Sequence, residues 1–325
     1  MDGHPYARLT PDVVLDALCG AGLRPDGRLL ALASYENRVY QVWMEEGAPL
    51  VAKFYRPGRW SDAQIDEEHE FARELAAREI PVVAPTHSFR FGEFRVALYP
   101  RRGGRAPELE DPKTLEWIGR FIGRIHAVGA TRPFRQRETL SIQTFGHEPR
   151  AWLLEHGFIP GELRPAWEAV TAQALQAVAR CTGRAGAVRH IRLHGDCHPG
   201  NILWTEHGEA RGPHFVDLDD ARMGPALQDL WMLLSGDRAA MTRQMLDVLA
   251  GYEDFMRFDR RELHLLEALR TLRLIHYSAW IARRWDDPAF PAAFPWFDTQ
   301  RYWQDRILEL REQIALMDEE PLAVD

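Results

Sequence analysis

Between His190 and Asp220 the chain reads HIRLHGDCHPGNILWTEHGEARGPHFVDLDD, and no other stretch limits its fold so tightly. Ile202–Trp204 and His214–Val216 are short runs of β-forming and apolar residues on either side of a glycine-containing turn, which reads as a hairpin. Gly195, Pro199 and Gly200 keep the preceding segment out of a helix. The resulting loop–strand–turn–strand unit gathers Asp196, Asn201 and Asp217 at one end of the hairpin, despite their separation in the chain. A lone loop aspartate is ordinarily a turn or cap residue. Two aspartates and an asparagine framing one strand pair are a far more specific signal.

The rest of the chain must be able to hold that unit. Its 325 residues are 46% hydrophobic and 27% charged, enough for about two packed domains and too apolar for a disordered chain. No run approaches the ~18 consecutive apolar residues of a membrane span. The N-terminus lacks a basic start followed by an apolar run, so secretion is not expected. Cys19, Cys181 and Cys197 contain no CxxC pair, which fits a reduced, cytoplasmic setting better than a disulfide framework. The formal charge is −8, whereas nucleic-acid binders draw most of their affinity from a basic excess. Neither a nucleic acid nor a membrane is an expected partner. A negative chain that handles phosphates must concentrate its positive charge locally.

Leu29–Ser34, Asn37–Met44 and Pro49–Tyr55 read as strands, with 45–47 as a hairpin turn. Ser61 reads as the N-cap of a helix with an acidic first turn and apolar Ile65, Ala72, Leu75 and Ala76, ended by Pro81. Ser88–Phe91 and Phe94–Tyr99 form a second hairpin around Gly92-Glu93. From Pro100 the pattern becomes helical: 111–129, 152–157, 164–180, 225–235, 238–251, 261–285 and 298–317. Arg101, Arg102 and Arg105 mark a polar connection. The expected fold class is α+β: an N-terminal lobe, 1–99, of antiparallel sheet plus one helix, and a larger, mainly helical C-terminal lobe, 100–325.

Two carboxylates and an amide at one hairpin end suit phosphoryl transfer, in which a protein supplies positioning and charge neutralisation rather than covalent chemistry. One carboxylate can face an acceptor hydroxyl. A second carboxylate and an amide oxygen can hold Mg²⁺, a hard cation that keeps several waters.

HGDCHPGNILW followed by FVDLDD resembles the aminoglycoside phosphotransferase and choline kinase superfamily, whose fold is similar to that of protein kinases. SYENRVYQV, VAKFYRPGRW, IDEEHEFA, PVVAP and DLDDARMGPALQDLWMLL resemble in particular the bacterial stress response kinase A group, taken to be cytoplasmic Ser/Thr protein kinases. The resemblance implies a bilobal, protein-kinase-like fold using ATP and Mg²⁺. It makes Asp196 the residue that aligns the acceptor hydroxyl, and Asn201 and Asp217 the metal ligands. Lys53 would contact the nucleotide phosphates, with Glu68 as its helix partner and Glu67 and Glu70 as alternatives. Ser34, in a turn that lacks GxGxxG, would help to cover the phosphates, and the adenine would sit near Leu98–Pro100. Asp229 would brace the catalytic loop through backbone N–H groups. Gly195 stands where protein kinases carry Arg, and Asp217-Leu218-Asp219 replaces DFG. The implied partner is a protein Ser/Thr hydroxyl, the chain's own included, with the enzyme acting as a monomer.

Three other readings compete. Within the kinases, the acceptor is a small hydroxyl compound such as homoserine, choline or an aminoglycoside. Outside them, His190, His194 and His198 repeat every four residues, as zinc ligands on a helix would, but the intervening Gly and Pro oppose a helix there. A nucleotide-binding scaffold without activity is the third; the complete set of Lys53, Asp196, Asn201 and Asp217 argues against it.

Overall fold

The computed structural model describes residues 4–208 and 211–324. Glu209 and Ala210, which fall between the two motif strands in the sequence, lie outside the described residues. Packing divides the chain into two compact units, Met1–Pro107 with Pro199–Asp220, and Glu108–His198 with Ala221–Asp325. The sequence reading breaks the chain after Tyr99 and keeps 100–325 together; by packing, the first unit continues to Pro107 and takes in the 199–220 segment.

In the first unit, α1 (Pro11–Gly20) precedes β1 (Pro25–Ala31), β2 (Arg38–Met44) and β3 (Leu50–Phe54). α2 (Asp62–Ala76) leads to β4 (His87–Phe91) and β5 (Phe94–Pro100). Among the described residues these strands form a five-stranded antiparallel sheet in the order β1-β2-β3-β5-β4. Successive strand residues face opposite sides. Val42, Ala52, Phe54, Val96 and Leu98 pack with Val14 and Leu18 of α1. Tyr55 and Ala97, of the other parity, pack with Ile65 of α2. Lys53 shares the parity of Tyr55, and so lies on the face that carries α2. Ser61 and Gln64 cap α2 reciprocally, satisfying two otherwise orphaned N–H groups. The helix α1 had no counterpart in the sequence reading.

The second unit begins with α3 (Pro112–Gly129), α4 (Glu148–Glu155) and α5 (Arg164–Ala185). Four short strands follow in the sequence: β6 (Ile191–Leu193), β7 (Ile202–Thr205), β8 (Gly212–Phe215) and β9 (Arg222–Gly224). β7 pairs with β8 inside the first unit, as the hairpin reading expects, and β6 pairs with β9 inside the second. The helices α6 (Leu227–Leu230), α7 (Arg238–Tyr252), α8 (Leu266–Ala282), α9 (Ala289–Ala293) and α10 (Gln300–Leu316) complete it. α3 and α7 pack so closely that a Cβ on Gly119 would lie 2.0 Å from the Val248 carbonyl oxygen, and one on Gly251 2.0 Å from that of Glu116. Only glycine fits there.

Two expected helices are shorter than their sequence pattern. Pro225–Ser235 resolves into α6 and a 3-10 turn, Trp231–Leu233. The segment before α8 is 3-10, Arg260–Leu265, because Asp259 accepts from the Arg261 N–H and the Glu262 carboxylate turns away to accept from the Leu227 N–H at 2.8 Å. The architecture is the expected α+β one, with the antiparallel sheet in the first unit and most helices in the second. Among the described residues, no helix is long and apolar enough to cross a membrane.

Candidate active site

Four of the sequence-derived site residues line one pocket of roughly 330 Å³ in the first unit: Ser34, Lys53, Asn201 and Asp217. Leu32, Val39 and Val51 give it an apolar wall, and Tyr99 and Pro100 form its edge. The Val216 N–H donates to the Asn201 carbonyl at 3.0 Å, closing the hairpin end beneath the Asn201 and Asp217 side chains. Asp217 has φ +59, a left-handed conformation uncommon outside glycine and best tolerated by Asn and Asp. Its side chain is 48% exposed, so a carboxylate in a sparsely populated backbone state faces the open pocket.

Lys53 is buried, and its Nζ lies 2.8 Å from Asp217 Oδ1 and 3.3 Å from Asp219 Oδ1. Burial acts against its ammonium charge, but Asp217, Asp219 and Glu68 outweigh burial and hold the group protonated well above its usual range. Of the three α2 glutamates considered, Glu68 is the buried one; Glu67 is half-buried and Glu70 exposed. Glu68 accepts from the Tyr55 O–H at 3.0 Å and belongs to a buried polar group with His69 and Tyr99, which lie 2.9 and 3.1 Å from the Tyr55 hydroxyl.

Sequence reasoning missed Asp219 and two of its partners, Arg59 and Asn37. The Asp219 carboxylate pairs with Lys53 and Arg59 and accepts from the Asn37 amide at 3.1 Å. Arg59 also donates to Asp220 at 2.8 Å, and Asn37 Oδ1 accepts from the Arg56 N–H at 3.0 Å. The turn that replaces a glycine-rich loop is therefore tied to the segment after β8 by buried charge. The DLDD run carried a hint of this, but nothing local pointed to Arg59 or Asn37.

The donor set suits a hard divalent cation: a carboxylate and a carboxamide oxygen in one pocket, with room for waters and phosphate oxygens. His190, His194 and His198 do not form a comparable cluster. Among the described residues, no three His, Cys, Asp or Glu side chains are placed to hold a metal together.

In the second unit, β6 delivers the chain into the loop His194-Gly195-Asp196. Gly195 has φ +87, which an arginine at that position would adopt only with strain. The N–H groups of His194 and Gly195 donate to Asp229 at 2.7 and 2.8 Å, as the sequence reading expects, and Gln228 Nε2 donates to the Gly195 carbonyl at 3.0 Å. Burial alone would raise the Asp229 pKa; His126, His194 and the Gly195 N–H reverse that and hold it below the carboxylate norm. Asp196 projects from this braced loop, with Oδ1 accepting from Arg273 at 2.6 Å and Oδ2 3.5 Å from His198 Nε2. Cys197 is buried, and burial pushes its thiol pKa well up, with Asp229 and Asp196 adding to it. It remains an inert thiol at neutral pH.

Residues 28–266 match the phosphotransferase enzyme family, APH. Stress response kinase A from Salmonella choleraesuis is 44% identical over 322 residues, covering 98% of this chain and 96% of the relative. Serine/threonine protein kinase RdoA of Salmonella typhimurium is 43% identical over the same coverage. Among solved structures, the amicoumacin kinase hAmiN in complex with AMP-PNP and Ca²⁺ aligns with TM-score 0.73 and 18% identity, covering 98% and 97% of the two chains. The choline kinase LicA from Streptococcus pneumoniae aligns with TM-score 0.64 and 13% identity, covering 94% and 98%. These structures share the kinase-like fold. With its braced Asp196 loop, its Lys53–Asp217 pocket and near-full-length similarity to those kinases, the chain belongs to the APH phosphotransferase family, in the stress response kinase A group.

Proposed function

We propose that this phosphotransferase is an ATP- and Mg²⁺-dependent serine/threonine protein kinase of bacterial stress response. The observation that carries the reading is the single pocket holding Ser34, Lys53, Asn201 and Asp217, together with an Asp196 loop fixed by Asp229. The first-unit pocket receives ATP, with its adenine near Leu98–Pro100 and its phosphates at Lys53 and the Ser34 turn. Lys53 keeps its charge despite burial and so supplies a fixed cation to the α- and β-phosphates. Mg²⁺ held by Asn201 and Asp217 would neutralise the charge that builds on the transferring group. Asp196 orients the acceptor hydroxyl and takes its proton, as the hydroxyl oxygen bonds to the γ-phosphorus and the bridging oxygen departs with ADP.

The protein acceptor draws its support from the relatives named serine/threonine protein kinase and stress response kinase. We place the enzyme in the cytoplasm as a monomer acting on protein hydroxyls, its own among them, without nucleic acid or membrane, its two lobes dividing at about Tyr99. A small-molecule acceptor is the second reading, favoured by a fold shared with choline and amicoumacin kinases. Incubation of a cell lysate with γ-labelled ATP and Mg²⁺ separates the two. Label should enter protein bands with wild type and not with Asp196→Ala; label found only in a small hydroxylated metabolite would overturn the protein reading.

A further inference from the structure

Two carboxylates of different character hold Lys53. Asp217, 2.8 Å from its Nζ, has a side chain 48% exposed, whereas Asp219, at 3.3 Å, has a side chain only 5% exposed. The exposed carboxylate can be met by water or a metal. The buried one is cut off from solvent, and there its pull on a neighbouring cation is several times stronger than in water. A lysine that serves nucleotide phosphates thus has a standing competitor for its charge.

Arg59 answers that competitor. It comes from the segment between β3 and α2, and its guanidinium pairs with Asp219 Oδ2, the other oxygen from the one at Lys53. It also donates to Asp220 Oδ1 at 2.8 Å and lies 3.5 Å from Glu36 Oε2. The same guanidinium lies over the Trp60 ring at 5.1 Å, which holds its plane. Burial disfavours the Arg59 charge, but Asp219, Glu36, Asp220 and Asp217 more than offset it. A planar fork of N–H donors can meet three carboxylates in a fixed geometry, where an ammonium is a single point charge. Glu36 pairs in turn with Arg56 at 2.9 Å, and Asn37 donates to Asp219 Oδ2 at 3.1 Å. The network therefore reaches the residues just after Ser34.

We propose, resting on the ATP-binding reading above, that Arg59 is a positioning residue for phosphate binding: it neutralises Asp219 and so makes Lys53 available to the nucleotide, while fastening the turn that carries Ser34. Charge balance carries the assignment. Lys53 can exchange a carboxylate for a phosphate oxygen only if the carboxylate it leaves keeps a counter-charge, because an uncompensated buried anion is costly. Arg59 supplies that charge from a place the ligand does not occupy. Among the described residues, the pocket is lined by Lys53 and Asp217, and Arg59 and Asp219 stand behind them. Arg59 acts through Lys53 and the turn rather than by touching the nucleotide.

The test uses the full-length protein with Mg²⁺ and measures calorimetric affinity for a non-hydrolysable ATP analogue and for adenosine, so that phosphate binding is read apart from turnover. Arg59→Met should weaken the analogue about tenfold and leave adenosine within about twofold, a split that general loosening of the fold would not produce. Asp219→Asn removes the competing charge, and adding Arg59→Met to it should change analogue affinity by less than about threefold. Arg59→Lys keeps a cation beside Asp219 and serves where Arg59→Met melts too low to assay; it should weaken the analogue by no more than about threefold. Unchanged analogue affinity in Arg59→Met, an equal loss for adenosine, a loss that persists in the Asp219→Asn background, or a full loss in Arg59→Lys would overturn the positioning proposal while leaving the ATP-binding reading in place. A wild-type protein that binds neither ligand would overturn the ATP-binding reading and the proposal with it.

Discussion

His126 of α3 and Asp229 of α6 face each other at 3.0 Å with both side chains sealed from solvent, and Asp229 passes the restraint on to the backbone of His194 and Gly195. The other His126 ring nitrogen lies 2.9 Å from the Tyr252 hydroxyl, so three buried groups set the position of the loop that carries Asp196. His126→Ala leaves a buried carboxylate short of a partner and should destabilise the fold by roughly 3–5 kcal/mol. Thermal melts together with transfer rates check this: the variant should melt lower and transfer more slowly, with ATP affinity preserved. Because Asp229 is held below its ordinary pKa of 3.8, its contribution is present above that pH and fades as pH falls below it.

Lys53→Met removes the cation between Asp217 and Asp219. Loss of one preorganised charge in an enclosed site should lower kcat/KM by about 10²–10³. Initial rates at varied ATP measure it, and a rise in KM for ATP should accompany the fall in kcat.

Glu262 supplies a pH dependence of stability. Burial raises its pKa from 4.5 to about 7, only partly offset by the N–H groups of Leu227 and Ala226. The folded state therefore holds this proton through a window, from about pH 4.5 to 7, in which the unfolded chain releases it, and stability falls as pH rises across that window. The full loss is about 3 kcal/mol. Glu262→Gln keeps an oxygen for the Leu227 N–H and cannot ionise. Denaturant unfolding at pH 5 and pH 8 should show wild type losing more stability than this variant.

Two glycines should respond in opposite directions to the same substitution. Gly119→Ala drives a methyl into the Val248 carbonyl of α7 and should destabilise by roughly 1–3 kcal/mol. Gly183, in α5, has nothing within 4 Å of its would-be Cβ, and Gly183→Ala should stabilise by roughly 0.5–1 kcal/mol. Urea midpoints of the two variants decide it.

The site was legible wherever its parts are close in sequence or repeat with a local period. Asp196, Asn201 and Asp217 come with a hairpin written into thirty residues, and Lys53 stands out as a lysine inside an apolar strand. Asp229 came from the resemblance that GPALQDLW helps to carry, not from a local pattern. Arg273 lies 77 residues from Asp196, and Arg59 lies 160 from Asp219; no local pattern joins such pairs, because tertiary packing alone sets them. The helix boundaries near Glu262 were hidden for a related reason. The sequence from Arg261 has a helical period, but one buried carboxylate is drawn to the distant Leu227 N–H and the backbone follows it.

The proposed function divides the labour: the Lys53, Asn201 and Asp217 pocket would bind nucleotide and metal, and Asp196 would turn binding into transfer. Single-turnover transfer of γ-labelled phosphate by Asp196→Ala, at ATP and Mg²⁺ concentrations shown by calorimetry to saturate it, tests this most directly. The predicted result is ATP affinity within about threefold of wild type and transfer at least ~10³-fold slower, a loss of about 4 kcal/mol of transition-state stabilisation. Transfer by Asp196→Ala at the wild-type rate would contradict it.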